Sequence, residues 1–133
     1  MNPTAVKGYQ AYQKNKYETA SPHRLILMLY HGAIRFVKQA KNSLDAGDTE
    51  QGHQHLLKAQ DIVYELISSL NEQQGGEIAS NLKNLYLYMI DQMMQANMKK
   101  NSESLTIVLE MLESIKEAWE QIGKELNTGH AYA

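Results

Sequence analysis

Proline is confined to the first 22 residues, at Pro3 and Pro22, and the rest of the 133-residue chain has none. A proline inside a helix removes a backbone donor and clashes with the preceding turn, so a long proline-free stretch leaves helix open as a choice. Runs of β-branched residues are scarce, and apolar residues recur at three- and four-residue intervals, which makes helix the prediction throughout. Ser21-Pro22 reads as an N-cap followed by a proline at the first helical position. The first helix is expected over 22–46 and is stopped by "DAGDT" at 45–49. Asp48, with Gln51 three residues on, caps a second helix over 49–71. "NEQQGG" at 71–76 breaks the chain again, and helices over 77–99 and 103–127 follow.

The stripes are explicit. The second helix carries Leu56, Ala59, Ile62, Val63, Leu66, Ile67 and Leu70. The third carries Ile78, Leu82, Leu85, Met89, Met93 and Ala96. The fourth carries Leu105, Val108, Leu112, Ile115, Trp119, Ile122 and Leu126. Helices of this size are each about 35 Å long, and short connections force neighbours to run antiparallel. The expected architecture is therefore all-α, an antiparallel up-down four-helix bundle in one domain over 1–133. Residues 1–20 form an N-terminal cap arm, 21–127 the bundle and 128–133 a flexible tail.

Charge and composition narrow the function. The formal net charge is -2, which offers no global attraction to nucleic acid or an anionic membrane. Its distribution is uneven: residues 1–47 sum to +5 and residues 102–126 to -4, which allows the first and last helices to be complementary. The absence of Cys removes disulfides, thiolate metal sites and Cys nucleophiles, and fits a cytoplasmic protein. No N-terminal apolar segment resembles a signal peptide. The longest apolar run, "LILMLY" at 25–30, is far short of the roughly 20 residues of a membrane span.

The first helix has more apolar surface than one stripe uses. At about 100° per residue, Leu25, Met28, Leu29, Gly32, Ala33, Phe36 and Ala40 make a core stripe. Ile26, Leu27, Tyr30, Ile34 and Val37 then make a second sector. Leu57 and Tyr64 on the second helix, and Leu87, Met94 and Met98 on the third, also fall off their stripes. Three explanations compete. A bundle helix touches two neighbours, so a broad stripe is ordinary. The arm, with Tyr9, Tyr12, Tyr17 and Ala20, folds back over the surplus. Or a partner's amphipathic helices occupy it, for which methionines are adaptable lining.

Catalytic and metal chemistry is poorly supported. Glu50 and His53 form one Glu-x-x-His pair, where a di-iron bundle uses two with further Glu. His53 and His55 point about 200° apart on a helix and cannot chelate one ion. His55, Lys58 and Ala59 have the spacing of a histidine phosphotransfer module, with alanine where glycine is usual. No phosphate-binding loop exists, and no serine has an evident base. The expectation is no cofactor, no metal and no enzyme activity.

"TASPHRLILMLYHGA" at 19–33 resembles the signature of the FliS family, the flagellar secretion chaperones of flagellin. The matching residues are Thr19-Ala20-Ser21-Pro22, Leu25, Met28-Leu29-Tyr30, Gly32 and Ala33. The resemblance continues in "LLKAQDIVYEL" at 56–66, "LYLYM" at 85–89, "ANMKKN" at 96–101 and "EAWEQ" at 117–121. His31 replaces a frequent acidic or amide residue, which raises the idea of pH-sensitive binding, and Tyr17 replaces an aliphatic one.

The resemblance implies a cytoplasmic type III flagellar export chaperone. It would bind the C-terminal helical segment of flagellin, block premature polymerisation and keep the subunit export-competent. It implies a cap arm displaced by flagellin, with Tyr9, Tyr12, Tyr17 and Ala20 placed there, and delivery of the complex to the export gate. Together with the angular reading, it gives a partner groove of Ile26, Leu29, Tyr30, Ile34, Val37, Leu57, Tyr64, Leu87 and Met94. The alternatives are phosphotransfer through His55, or a homodimer that buries its own surplus apolar surface.

Overall fold

The computed structural model describes residues 21–127. The expected arm, with Tyr9, Tyr12, Tyr17 and Ala20, and the expected tail at 128–133 lie outside the described residues. Within them the chain forms four helices: α1 (Pro22–Asp45), α2 (Thr49–Ser68), α3 (Glu72–Lys99) and α4 (Leu105–Asn127). No strand occurs among the described residues.

The capping residues act as their chemistry dictates. The Ser21 hydroxyl accepts from the Arg24 amide at 3.1 Å, and the Asp48 carboxylate accepts from the Gln51 amide at 3.1 Å. Each satisfies a donor that the first helical turn leaves without a partner. Asn71 caps a further turn by accepting from the Gln74 amide at 3.0 Å. That turn precedes the third helix expected from 77, so α3 begins five residues earlier. The break is still there: Gly76 sits at φ 53°, ψ -129°, inside α3 but outside helical geometry.

The helices pack in cyclic order, with α1 against α2 and α4, and α3 against α2 and α4. The α1–α2 seam is the most extensive and the α3–α4 seam the least. Direction follows from contacts at both ends. His23, at the start of α1, meets Trp119 near the end of α4. Asp45, at the end of α1, accepts from the Ser102 hydroxyl just before α4. The two helices are therefore antiparallel, and the up-down four-helix bundle is the fold.

The core corrects the angular assignment on α1. The buried residues there are Leu27, Tyr30, Ala33, Ile34, Val37, Ala40 and Leu44. Most of these belong to the expected second sector. Tyr30 is 2% exposed and Val37 0%, and Ile34 is also buried, so these three are not an open groove. Ile26 is only partly exposed and packs on the core. Meanwhile Leu25, Met28, Leu29 and Phe36, expected at the centre of the core stripe, are only partly buried. The reason is that α1 lies between two neighbours, so its most buried line is set by α2 and α4 jointly. On α3 the same correction removes Ile78 and Leu85, which are exposed, and adds Ala79, Tyr86 and Ile90. On α4, Ile122 is exposed while Leu105, Val108 and Leu112 are fully buried.

Candidate partner-binding surface

Two polar contacts hold the bundle in register, one in its buried centre and one at its end. Tyr30 and Tyr86 meet hydroxyl to hydroxyl at 2.7 Å in the buried centre, linking α1 to α3 across the bundle diagonal. Burial pushes both phenols above the ordinary tyrosine pKa of 10.0; the mutual bond lowers that of Tyr30 and raises that of Tyr86 further. At one end, the His23 Nε2–H donates to the Trp119 carbonyl at 2.7 Å. The Trp119 indole N–H donates back to the His23 carbonyl at 2.9 Å, and the rings stack at 4.8 Å. A Cβ on Gly123 would collide with the His23 ring, so only glycine admits this clasp. Neither contact is among the expectations from sequence. The single Trp, whose indole needs an acceptor when buried, was the signal available for the second.

The clasp fixes the start of α1 beside the C-terminal half of α4. The charge asymmetry is also resolved here. Lys38 pairs with Glu113 at 3.6 Å, and His31 lies 3.9 Å from Glu120. The basic first helix and the acidic last helix are thus neighbours. His31 is exposed and lies on the α4 side of α1. Lys116, on α4 itself, bridges Glu113 at 3.2 Å and Glu120 at 3.7 Å.

The large apolar side chains that remain exposed lie mainly on α2 and α3. Leu57 is 41% exposed, Tyr64 49%, Leu87 45% and Met94 49%. Each pair is seven residues apart, two helical turns on one flank. His55 stacks on Phe36 of α1 at 6.5 Å, and a Cβ on Gly32 of α1 would lie 3.1 Å from Ile62. His55 and Ile62 therefore mark the α1 side of α2, and Leu57 and Tyr64 lie about 180–220° round from them. On α3, the Gln92 carbonyl accepts from the Ser104 hydroxyl before α4 at 2.8 Å. Leu87 and Met94 lie about 200° round from Gln92. Both pairs thus lie away from these two contact lines, although Tyr64 also lines the groove on the α1 side of α2. Of the residues expected in the groove, these four are exposed, while Tyr30, Ile34 and Val37 lie in the core. Leu29 instead lines a shallow groove of ≈ 770 Å³ with Leu25, Asp61, Ile62, Tyr64 and Glu65.

The chain matches the family model described as "Flagellar protein FliS" over residues 5–126. It belongs to the FliS family. A flagellar secretion chaperone FliS of Vibrio cholerae is 40% identical over 120 residues, covering 87% of this chain and 88% of the relative. One of Salmonella typhimurium is 39% identical, covering 86% and 89%. One of Bacillus subtilis is 35% identical, covering 85% and 84%. The family model runs from within the arm to the end of α4, so the likeness spans the whole bundle.

Chemical alternatives fare differently. No group of three or more His, Asp or Glu that could hold a metal ion occurs among the described residues. The His55 ring is half-buried against Phe36, and its Nδ1 is buried with no hydrogen-bond partner. The freely exposed imidazole that phosphotransfer needs is not what α2 presents at this position. No described helix is long and apolar enough to cross a membrane.

Proposed function

We propose that this protein is a cytoplasmic chaperone of flagellar secretion. It holds the C-terminal helical segment of flagellin, blocks its premature polymerisation and presents the complex to the export gate. The role is binding, not catalysis. The observation that carries the reading is that the bundle completes its core while leaving Leu57, Tyr64, Leu87 and Met94 about half exposed on α2 and α3. Two i, i+7 pairs suit the apolar face of an amphipathic helix laid along them. A segment that folds on binding loses ordering free energy but covers a long surface. The names of the relatives support the flagellar assignment. The arm, with Tyr9, Tyr12, Tyr17 and Ala20, covers exposed apolar surface until flagellin displaces it.

The test is calorimetry with a peptide of the last flagellin helices, with light scattering on the same samples. A 1:1 complex at micromolar concentration or tighter is expected. Leu57→Glu and Met94→Glu should each weaken it at least tenfold and leave the thermal midpoint unchanged, because both side chains are exposed. No binding at micromolar concentration overturns the reading, as does full affinity in both variants. A dimer that dissociates when the peptide binds would assign the surface to self-association first.

A further inference from the structure

Helix α3 carries four of the chain's seven methionines within ten residues, at 89, 93, 94 and 98. The fold sorts them into two kinds. Met89 and Met93 are 0% exposed and belong to the core, whereas Met94 is 49% exposed and Met98 75%. Met94 and Met98 are one turn apart, and Leu87 lies on the same flank at about 20° from each. The three positions run about 16 Å along the helix. Asp91, also exposed, interrupts the line between Leu87 and Met94. The apolar character of this flank therefore rests on three side chains, two of them thioethers. Elsewhere, Met28 and Met111 are partly buried, and Met1 lies outside the described residues.

A thioether reacts with hydrogen peroxide by a two-electron step. The sulfur lone pair attacks one peroxide oxygen, an S–O bond forms and the O–O bond breaks. The leaving hydroxide takes the proton from the new S–OH group and departs as water. The sulfur is oxidised to a sulfoxide and the peroxide is reduced. The oxidant must reach the sulfur, so Met94 and Met98 are open to it while Met89 and Met93 are shielded by the core. The product is polar and chiral where the thioether was apolar and adaptable. At an exposed position its oxygen stays hydrated, and the free bundle tolerates it. Beneath the apolar face of a partner helix the oxygen loses that water and gains no donor in exchange, which disfavours the complex.

We infer that Met94 and Met98 form a reversible oxidation site, at which hydrogen peroxide closes the exposed flank of α3 to an apolar partner without unfolding the bundle. The inference rests on the reading that this flank holds the flagellin segment. Oxidised there, the protein keeps its core and releases its client. Reduction by methionine sulfoxide reductases, one for each sulfoxide epimer, restores the flank. Leu57, Tyr64 and Leu87 are chemically unchanged, so affinity is reduced, not abolished.

The full chain is treated with limiting hydrogen peroxide, and sulfoxide at each methionine is followed by peptide mapping with mass spectrometry. Met94 and Met98 should oxidise at least tenfold faster than Met89 and Met93, with the thermal midpoint of the partly oxidised protein unchanged. Affinity for the flagellin peptide, measured by calorimetry, should fall at least tenfold and return after treatment with both reductases. In Met94→Leu with Met98→Leu the affinity before and after peroxide should be the same, whatever its starting value, although Met1, Met28 and Met111 remain oxidisable. Equal oxidation rates at the buried and exposed methionines overturn the inference. So does a peroxide effect that persists in the double leucine variant, and so does a loss of affinity that tracks a fall in the thermal midpoint. Full affinity of the wild type with sulfoxide at both positions overturns this inference alone. A peptide that does not bind the untreated protein overturns the flagellin reading and this inference together.

Discussion

Tyr30 and Tyr86 place two hydroxyls in an otherwise apolar centre, and each is satisfied by the other. Removing one leaves a buried polar group alone. Tyr86→Phe should therefore cost about 1–3 kcal/mol. Tyr30→Phe with Tyr86→Phe together should cost clearly less than the sum of the two singles, because no orphan remains. Urea unfolding of the four-member cycle measures both. The pair also makes stability depend on pH in the alkaline range. Burial raises both folded pKa values above 10.0, so the folded state keeps its protons where the unfolded chain loses them. The stabilisation from the neutral phenols is complete below about pH 10 and is lost as pH rises above it. The double phenylalanine variant should show a smaller fall in urea midpoint between about pH 9 and 11 than the wild type. An equal fall would mean the pair is not the source.

At the scale of the element, backbone conformation at the ends of α3 decides where the helix starts and stops. Gly76 at φ 53°, ψ -129° lies in a region that L side chains rarely enter. Gly76→Ala should destabilise by at least about 1 kcal/mol, although no atom obstructs the new methyl. Lys100 ends the same helix at φ 56°, ψ 38°, a left-handed cap at a non-glycine residue. Lys100→Gly relieves that strain and loses some unfolded-state restriction, so a gain of up to about 1 kcal/mol is expected. Opposite shifts in the urea midpoint check the pair. Two shifts of the same sign would show that α3 adjusts its ends when mutated. The sequence marked the first site as a break, "NEQQGG", from composition, and ended the third helix at 99. It could not show that Asn71 begins a helical turn continuous with α3, because that depends on one glycine's dihedrals.

For the whole molecule, the uneven seams are the feature that matters. The α3–α4 contact is the slightest of the four, and the first half of α3 carries exposed Ile78 and Leu85. Local opening is easiest where few apolar contacts hold an element. Amides of residues 77–88 should exchange faster than those of 33–44 in the free protein. Hydrogen exchange followed by mass spectrometry measures this, and equal protection of the two segments would contradict it.

The fold class, the four helices and the caps at Ser21 and Asp48 were legible in the sequence. They depend on local rules: spacing of apolar residues, absence of proline, and side chains that satisfy the first turn. The family was legible as well, through Thr19-Ala20-Ser21-Pro22 and Met28-Leu29-Tyr30. Leu57, Tyr64, Leu87 and Met94 lie off the expected stripes and are exposed, but on α3 the count also put the exposed Ile78 and Leu85 in the core and missed Ala79, Tyr86 and Ile90. On α1 the same count failed. Tyr30, Ile34 and Val37 went to the core, and Leu25, Leu29 and Phe36 to an outer seam, because two neighbouring helices jointly decide which line is deepest. Helical periodicity states which residues share a face. Only the packing of α1 between α2 and α4 decides which face is inside.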